Sequence, residues 1–146
     1  MTFPSSSDQR CKDLLDSSIT GLERISDHYK IEDLQFNFFK DIVIPISLYL
    51  DSFPKRKDPY LICFTGGQGS GKTTMSYFVQ EVLSNHCNRP SMGFSIDDIY
   101  KSQEERKKLS EEVHPLCYVR GVPGTHDIAM GLDLIKELSE ADIDSI

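Results

Sequence analysis

The chain lacks any run of about 20 apolar residues of the kind that spans a bilayer. Its longest apolar stretch, Ile42 to Leu50, is broken by Pro45 and Ser47. It also lacks a face dense in Lys and Arg, since 23 acidic side chains stand against 16 basic ones, a net charge of −7. An acidic chain repels polyanions, so neither nucleic acid nor an anionic membrane is expected as its main partner. Residues Met1 to Ser7 show no basic start and no apolar core, so no secretory signal is read there. The four cysteines, Cys11, Cys63, Cys87 and Cys117, form no C-x-x-C pair and no zinc-ligand spacing. His86-Cys87 and His114-x-x-Cys117 are isolated pairs, whereas a metal site needs several converging ligands. No N-x-[ST] acceptor, internal repeat or long low-complexity tract occurs. The expectation is a soluble cytoplasmic protein with reduced thiols. What is present, 146 residues with 38% apolar side chains, suits one core-forming domain of ordinary size.

Pattern divides the chain into residues 1–57, helical with a linker, and residues 58–146. Leu14, Leu15, Ile19, Leu22 and Ile25 recur at helical spacing and predict an amphipathic helix. Leu34, Phe36, Phe38, Phe39, Ile42, Val43 and Ile46 predict a second, bent or ended near Pro45. The segment Asp51 to Pro59 reads as a polar connection, with Lys55-Arg56-Lys57 solvated. Tyr60 to Thr65 is an apolar run that fits a strand buried on both faces, and Pro90 to Asp97 a second, weaker strand. With a helix from about Lys72 to Ser84 between them they would make one βαβ unit with parallel strands. Ser102-Gln-Glu-Glu105 is a capping-box pattern opening a helix that runs to about Val113. A last helix begins near Asp127, with Ile128, Leu132, Ile135 and Leu138 on one face.

Between the first strand and its helix, Gly66-Gly67-Gln68-Gly69-Ser70-Gly71-Lys72-Thr73 satisfies G-x-x-x-x-G-K-[ST] at every position. Glycines let successive backbone amides curl towards one anion, and a helix starting there adds its free amides and the positive end of its dipole. Lys72 would reach the β- and γ-phosphates of a nucleoside triphosphate. The Thr73 hydroxyl is a hard oxygen suited to Mg²⁺. The motif is silent on how the γ-phosphate is used.

Asp97 and Asp98 close the second predicted strand, at the sheet edge where ligands gather in open parallel sheets. A carboxylate there could orient or deprotonate an attacking hydroxyl, or hold Mg²⁺; equally, the pair fits a turn or a helix start. Only one of the two can face the site, because strand neighbours alternate. Arg120-Gly-Val-Pro-Gly-Thr-His-Asp127 reads by composition as a turn before a helix, with Thr125 or Asp127 as the N-cap. Arg106 and Lys101 read as solvated, and His28 and His86 have no partner in sequence that suggests catalysis.

Three segments together, Gly66 to Thr74, Ser95-Ile-Asp-Asp-Ile-Tyr100 and Arg120 to Asp127, resemble the D-glycerate 3-kinase family. That family is related to uridine kinase, pantothenate kinase and phosphoribulokinase. The resemblance covers about residues 58 to 140 and rests most on the second and third segments. It implies an α/β fold of the P-loop NTPase type, a parallel sheet flanked by helices, here with an N-terminal helical extension. The C-terminal half of such a domain would be missing. It further implies ATP and Mg²⁺ as cofactors and phosphoryl transfer to a hydroxyl of a small metabolite, most simply a glycerate-like acid. Gly66, Gly67, Gln68, Gly69, Ser70, Gly71, Lys72, Thr73 and Thr74 would bind ATP, with Lys72 also catalytic. Asp97 would be the general base and, with Thr73, a metal ligand. Asp98, Tyr100, Arg120, His126 and Asp127 would line the acceptor pocket. Two alternatives stand beside the kinase: a nucleotide-binding ATPase or switch, and a truncated, catalytically inactive P-loop protein. The absence of N-K-x-D and D-x-x-G disfavours a GTPase.

Overall fold

A helix with an apolar stripe is stable only where a neighbour covers that stripe. The stripe of Leu14, Leu15 and Leu22 sets the first element. In the computed structural model, which describes residues 3–31 and 36–140, α1 spans Gln9–His28 and buries Cys11, Leu14, Leu15 and Leu22. The next helical stretch is α2 (Phe36–Phe38), a π-helical turn (Phe39–Val43) and α3 (Ile44–Asp51). Leu34, assigned to this helix by its spacing, lies outside the described residues. Pro45 neither ends nor breaks the stretch. The wide turn, with Ile44 N–H donating to Phe39 O, places the proline in the first turn of α3. A missing N–H is tolerated there.

Further along, α4 (Lys72–His86) packs against α1 and α3 and contributes Phe78 and Val82. Its ring meets Phe39 edge to face at 5.2 Å, and Leu22, Val43 and Ile44 complete a core with no exposure. These elements belong to one compact unit, Met1–Gly93.

No strand occurs among the described residues, and the expected parallel sheet is therefore overturned. Tyr60 to Thr65 carries no secondary structure, and Leu61 is 68% exposed. Pro90 to Ser95 is likewise irregular, and Ile96–Ile99 is a 3₁₀ turn. The physical reason is that a strand exists only in a ladder. An apolar run of six residues supplies side chains for one but cannot supply the partner strand that satisfies its backbone.

The connection from Asp51 to Pro59 is pinned to the unit at two points. Arg56 lies over the Tyr60 ring at 3.8 Å and donates to the carbonyls of Asp58 and Pro59, so it is not simply solvated. Arg89 is the stronger pin. Its Nε donates to Asp51 Oδ1 at 3.0 Å, and its Nη2 donates to the carbonyls of Asp51 and Phe53. Both partners are largely buried, at 17% and 20% side-chain exposure. Arg89→Ala leaves two carbonyls without this donor and the Asp51 carboxylate with only the exposed Arg10 at 3.5 Å, so it is expected to cost about 2–4 kcal/mol in urea denaturation. A loss below about 0.5 kcal/mol contradicts this reading of the clamp.

The second compact unit is Phe94–Ile146. It holds the 3₁₀ turn Ile96–Ile99, α5 (Gln103–Glu112), a 3₁₀ turn (Pro115–Tyr118) and α6 (Ile128–Glu140). The capping box at α5 is formed as the sequence predicts. Ser102 Oγ accepts from Glu105 N–H at 3.2 Å, and Glu105 Oε2 accepts from Ser102 N–H at 2.8 Å. Hydrogen bonds from the Ser102 side chain and backbone hold the Glu105 carboxyl below its usual 4.5. A depressed carboxyl contributes stability above the unfolded value and loses it as pH falls through the folded one. Ser102→Ala is expected to move the Glu105 midpoint up towards 4.5 in a carboxyl NMR titration. An unmoved midpoint contradicts the capping account.

α6 crosses the first 3₁₀ turn at Gly131, where a Cβ would come within 2.9 Å of Ile99 Cδ1. Its expected apolar face is only partly covered, since Ile128 and Leu132 are exposed. No helix among the described residues is long and apolar enough to cross a membrane.

Candidate functional site

In the first unit, Gly66 to Thr73 forms an exposed turn leading directly into α4. Ser70 N–H donates to Gly67 O at 3.3 Å, and Met75 N–H donates to Gly71 O at 2.8 Å. Gly69 and Gly71 have φ of 75° and 78°, the left-handed region that other residues enter at a cost. A Cβ on either would meet nothing within 4 Å, so conformation and not crowding demands glycine there. Gly71 is the N-cap of α4 and no side chain caps the helix, which leaves its first amides facing outward.

Lys72 folds back across the turn, its Nζ donating to Gly67 O at 2.8 Å. It makes no salt bridge among the described residues, so its charge is not neutralised by a carboxylate. Uncapped amides, a helix dipole and an unpaired ammonium gathered on one exposed turn fit an incoming phosphate. Gln68 and Ser70 are exposed in the same turn, and Thr73 and Thr74 follow in the first turn of α4. For Mg²⁺, the chain offers the Thr73 hydroxyl beside the loop as a single hard oxygen. Among the described residues no group of three His, Cys, Asp or Glu side chains is placed to hold a metal ion. The residues fit a cation carried in by the phosphates, and not a cage built from the protein.

In the second unit, Asp97 and Asp98 sit in the 3₁₀ turn and not at a strand end, so the alternation argument does not apply to them. The turn separates them in another way. Asp98 Oδ2 accepts from Ser95 N–H at 2.8 Å within a capping box, while the exposed Asp97 carboxylate has no hydrogen-bond partner among the described residues.

Tyr100, Arg120, His126 and Asp127 are brought together. Tyr100 and His126 form an isolated antiparallel bridge, and their rings stack at 4.1 Å and 27°. The Arg120 guanidinium lies 5.3 Å from the centre of the Tyr100 ring. Asp127 N–H donates to Ile99 O at 2.7 Å, and its carboxylate accepts from Met130 N–H at 3.0 Å, capping α6. The buried His126 Nε2 has no hydrogen-bond partner among the described residues, which marks an unmet demand in this cluster.

Thr125 belongs to the Arg120–Asp127 loop read from the sequence, but Arg106 was not legible as part of the cluster. Thr125 is fully buried, its hydroxyl donating to Val122 O at 2.6 Å and its carbonyl accepting from Lys101 N–H at 2.9 Å. Arg106, read as solvated, donates to the carbonyls of Lys101 and Tyr118 at 3.1 and 2.8 Å. Thr125 bonds within its own turn, whereas nothing local to Arg106 signals a partner as far along the chain as Tyr118. No protein family, curated protein or solved structure matches this chain.

Proposed function

We propose that the chain binds ATP through Gly66 to Thr74 and transfers its γ-phosphoryl group to a hydroxyl of a small metabolite, a glycerate-like acid being the first candidate. The observation that carries the reading is the exposed turn itself: left-handed Gly69 and Gly71, uncapped α4 amides, and Lys72 Nζ closing over the Gly67 carbonyl. On this reading Lys72 exchanges the carbonyl for a phosphate oxygen, a stronger charge-assisted partner. Backbone amides hold the phosphates in place, so that positioning and charge stabilisation lower the barrier without a covalent intermediate. Mg²⁺ arrives with ATP, where it neutralises phosphate charge, and Thr73 is the residue that would contact it.

The residues proposed for the acceptor are Asp98, Tyr100, Arg120, His126 and Asp127, as the resemblance implies. Arg120 is suited to a carboxylate and His126 and Asp127 to hydroxyls, with Tyr100 beside the acceptor. Asp97, with its free carboxylate, is the proposed base, and Asp98 is held in its turn. Four free thiols, Cys11, Cys63, Cys87 and Cys117, are compatible with the cytoplasm as the place of action.

The test is incubation with labelled ATP, Mg²⁺ and a panel of small hydroxy acids and nucleosides. Acceptor-dependent ADP release is the expected result. Acceptor-independent release favours an ATPase, and ATP binding without turnover favours an inactive P-loop protein. Within that assay Asp97→Asn is expected to lower turnover while leaving ATP affinity within about twofold, as removal of a general base does. An equal loss in Asp98→Asn, with the turn intact, reverses the assignment of the base.

A further inference from the structure

We propose that the cleft between α1 and α4 binds a small zwitterion of the amino-acid type that carries a flat apolar group. The cleft encloses about 460 Å³ and is walled by Arg24, Ile25 and Tyr29 on one side and Tyr77, Gln80 and Glu81 on the other. That volume lies within the range of small-molecule sites, and the seam between packed helices is a common place for one. It is separate from the glycine-rich turn and does not rest on the ATP reading.

Glu81 is the centre of the argument. Its side chain is only 13% exposed and lies against bare Gly21 of α1, where a Cβ would run into Oε1. Its one charged partner among the described residues is Arg24 at 3.6 Å, beyond the range of a charge-assisted hydrogen bond, and that arginine is itself 75% exposed. No protein donor among the described residues hydrogen-bonds the Glu81 carboxylate. The carboxylate keeps a narrow exposure to the cleft, so its donors there are water molecules that a bound ammonium can replace.

The charges select the ligand. A simple cation meets Arg24, and a simple anion meets Glu81. A molecule with both charges a few ångströms apart satisfies each, its ammonium donating to Glu81 and its carboxylate accepting from Arg24. Tyr29 and Tyr77 stack at 5.5 Å and 15°, and both remain partly exposed at 43% and 36%. Their outer surfaces offer a platform for a ring or other flat group.

The test is an amide NMR titration of the full chain with L-phenylalanine and L-tryptophan as zwitterions. L-phenylalanine methyl ester lacks the carboxylate, and N-acetyl-L-phenylalanine lacks the ammonium. Saturable shifts confined to residues 21–29 and 77–85 are expected with the zwitterions, and at least about tenfold weaker binding with either blocked form, since each removes a charge-assisted pair. Glu81→Gln, nearly the same shape, and Arg24→Met, at an exposed side chain, are each expected to weaken zwitterion binding by a similar factor. The proposal is overturned by the absence of saturable shifts with both zwitterions. Equal response to all four probes, or unaltered binding in Glu81→Gln with its spectrum otherwise preserved, overturns it as well.

Discussion

Lys72→Ala is expected to lower acceptor-dependent ADP release by about 10²–10³-fold, the loss that follows removal of one fixed donor from a developing oxyanion. The geometry explains why so much should ride on one side chain. The turn presents amides and a helix end, but Lys72 is its only residue with a full positive charge, and no carboxylate among the described residues pairs with it. The hydrogen bond from its Nζ to Gly67 O tethers the ammonium over the turn. Because that bond is exposed, stability should change by less than about 0.5 kcal/mol, so lost turnover cannot be ascribed to unfolding. Steady-state kinetics beside a thermal melt check both halves. Turnover retained within a few-fold contradicts the role given to Lys72.

Phe78→Ala is expected to cost about 3–5 kcal/mol, a large share of the roughly 5–15 kcal/mol that holds a domain together. Phe78 is 1% exposed and its ring meets Phe38 at 6.3 Å and Phe39 at 5.2 Å, both edge to face. It sits where α1, the π-helical turn and α4 converge, with Leu22, Val43, Ile44 and Val82 in the same core. Truncation removes the ring's apolar burial and opens a cavity that three packed elements cannot collapse to fill. Phe36 makes the control. It lies in the same helical stretch but is 53% exposed, and Phe36→Ala should stay within about 0.5 kcal/mol. Urea denaturation measures both. Equal midpoints for the two variants contradict the placement of the core.

What the sequence reveals of this fold follows from how local each signal is. α1 is legible because Leu14, Leu15, Ile19, Leu22 and Ile25 repeat at the helix period, and a helix satisfies its backbone within itself. The α5 capping box and the Asp127 cap of α6 are legible because their hydrogen bonds close within three residues. Tyr60 to Thr65 misleads for the converse reason. Its composition is that of a buried strand, but strand formation is decided by a distant partner, and among the described residues none pairs with it.

At Pro45 the helix does not end, because a π turn just before it seats the proline in the first turn of α3. The Arg89 and Arg106 clamps join carbonyls that only folding brings near. At the candidate site, residue types were legible from the motif, and the left-handed glycines follow from it. The Asp97–Asp98 pair takes the turn or helix-start alternative that its residue types also allowed, with Asp98 in the capping box, whereas the buried His126 Nε2 had no local signal.

The glycine-rich turn as a phosphate cradle is the central claim, and amide NMR during titration with ATP and Mg²⁺ tests it most directly. The account predicts saturable shifts at the amides of Gly66 to Thr74, absent or strongly weakened in Lys72→Ala. Nucleotide binding that leaves those amides unmoved, or no binding at millimolar ATP, contradicts it.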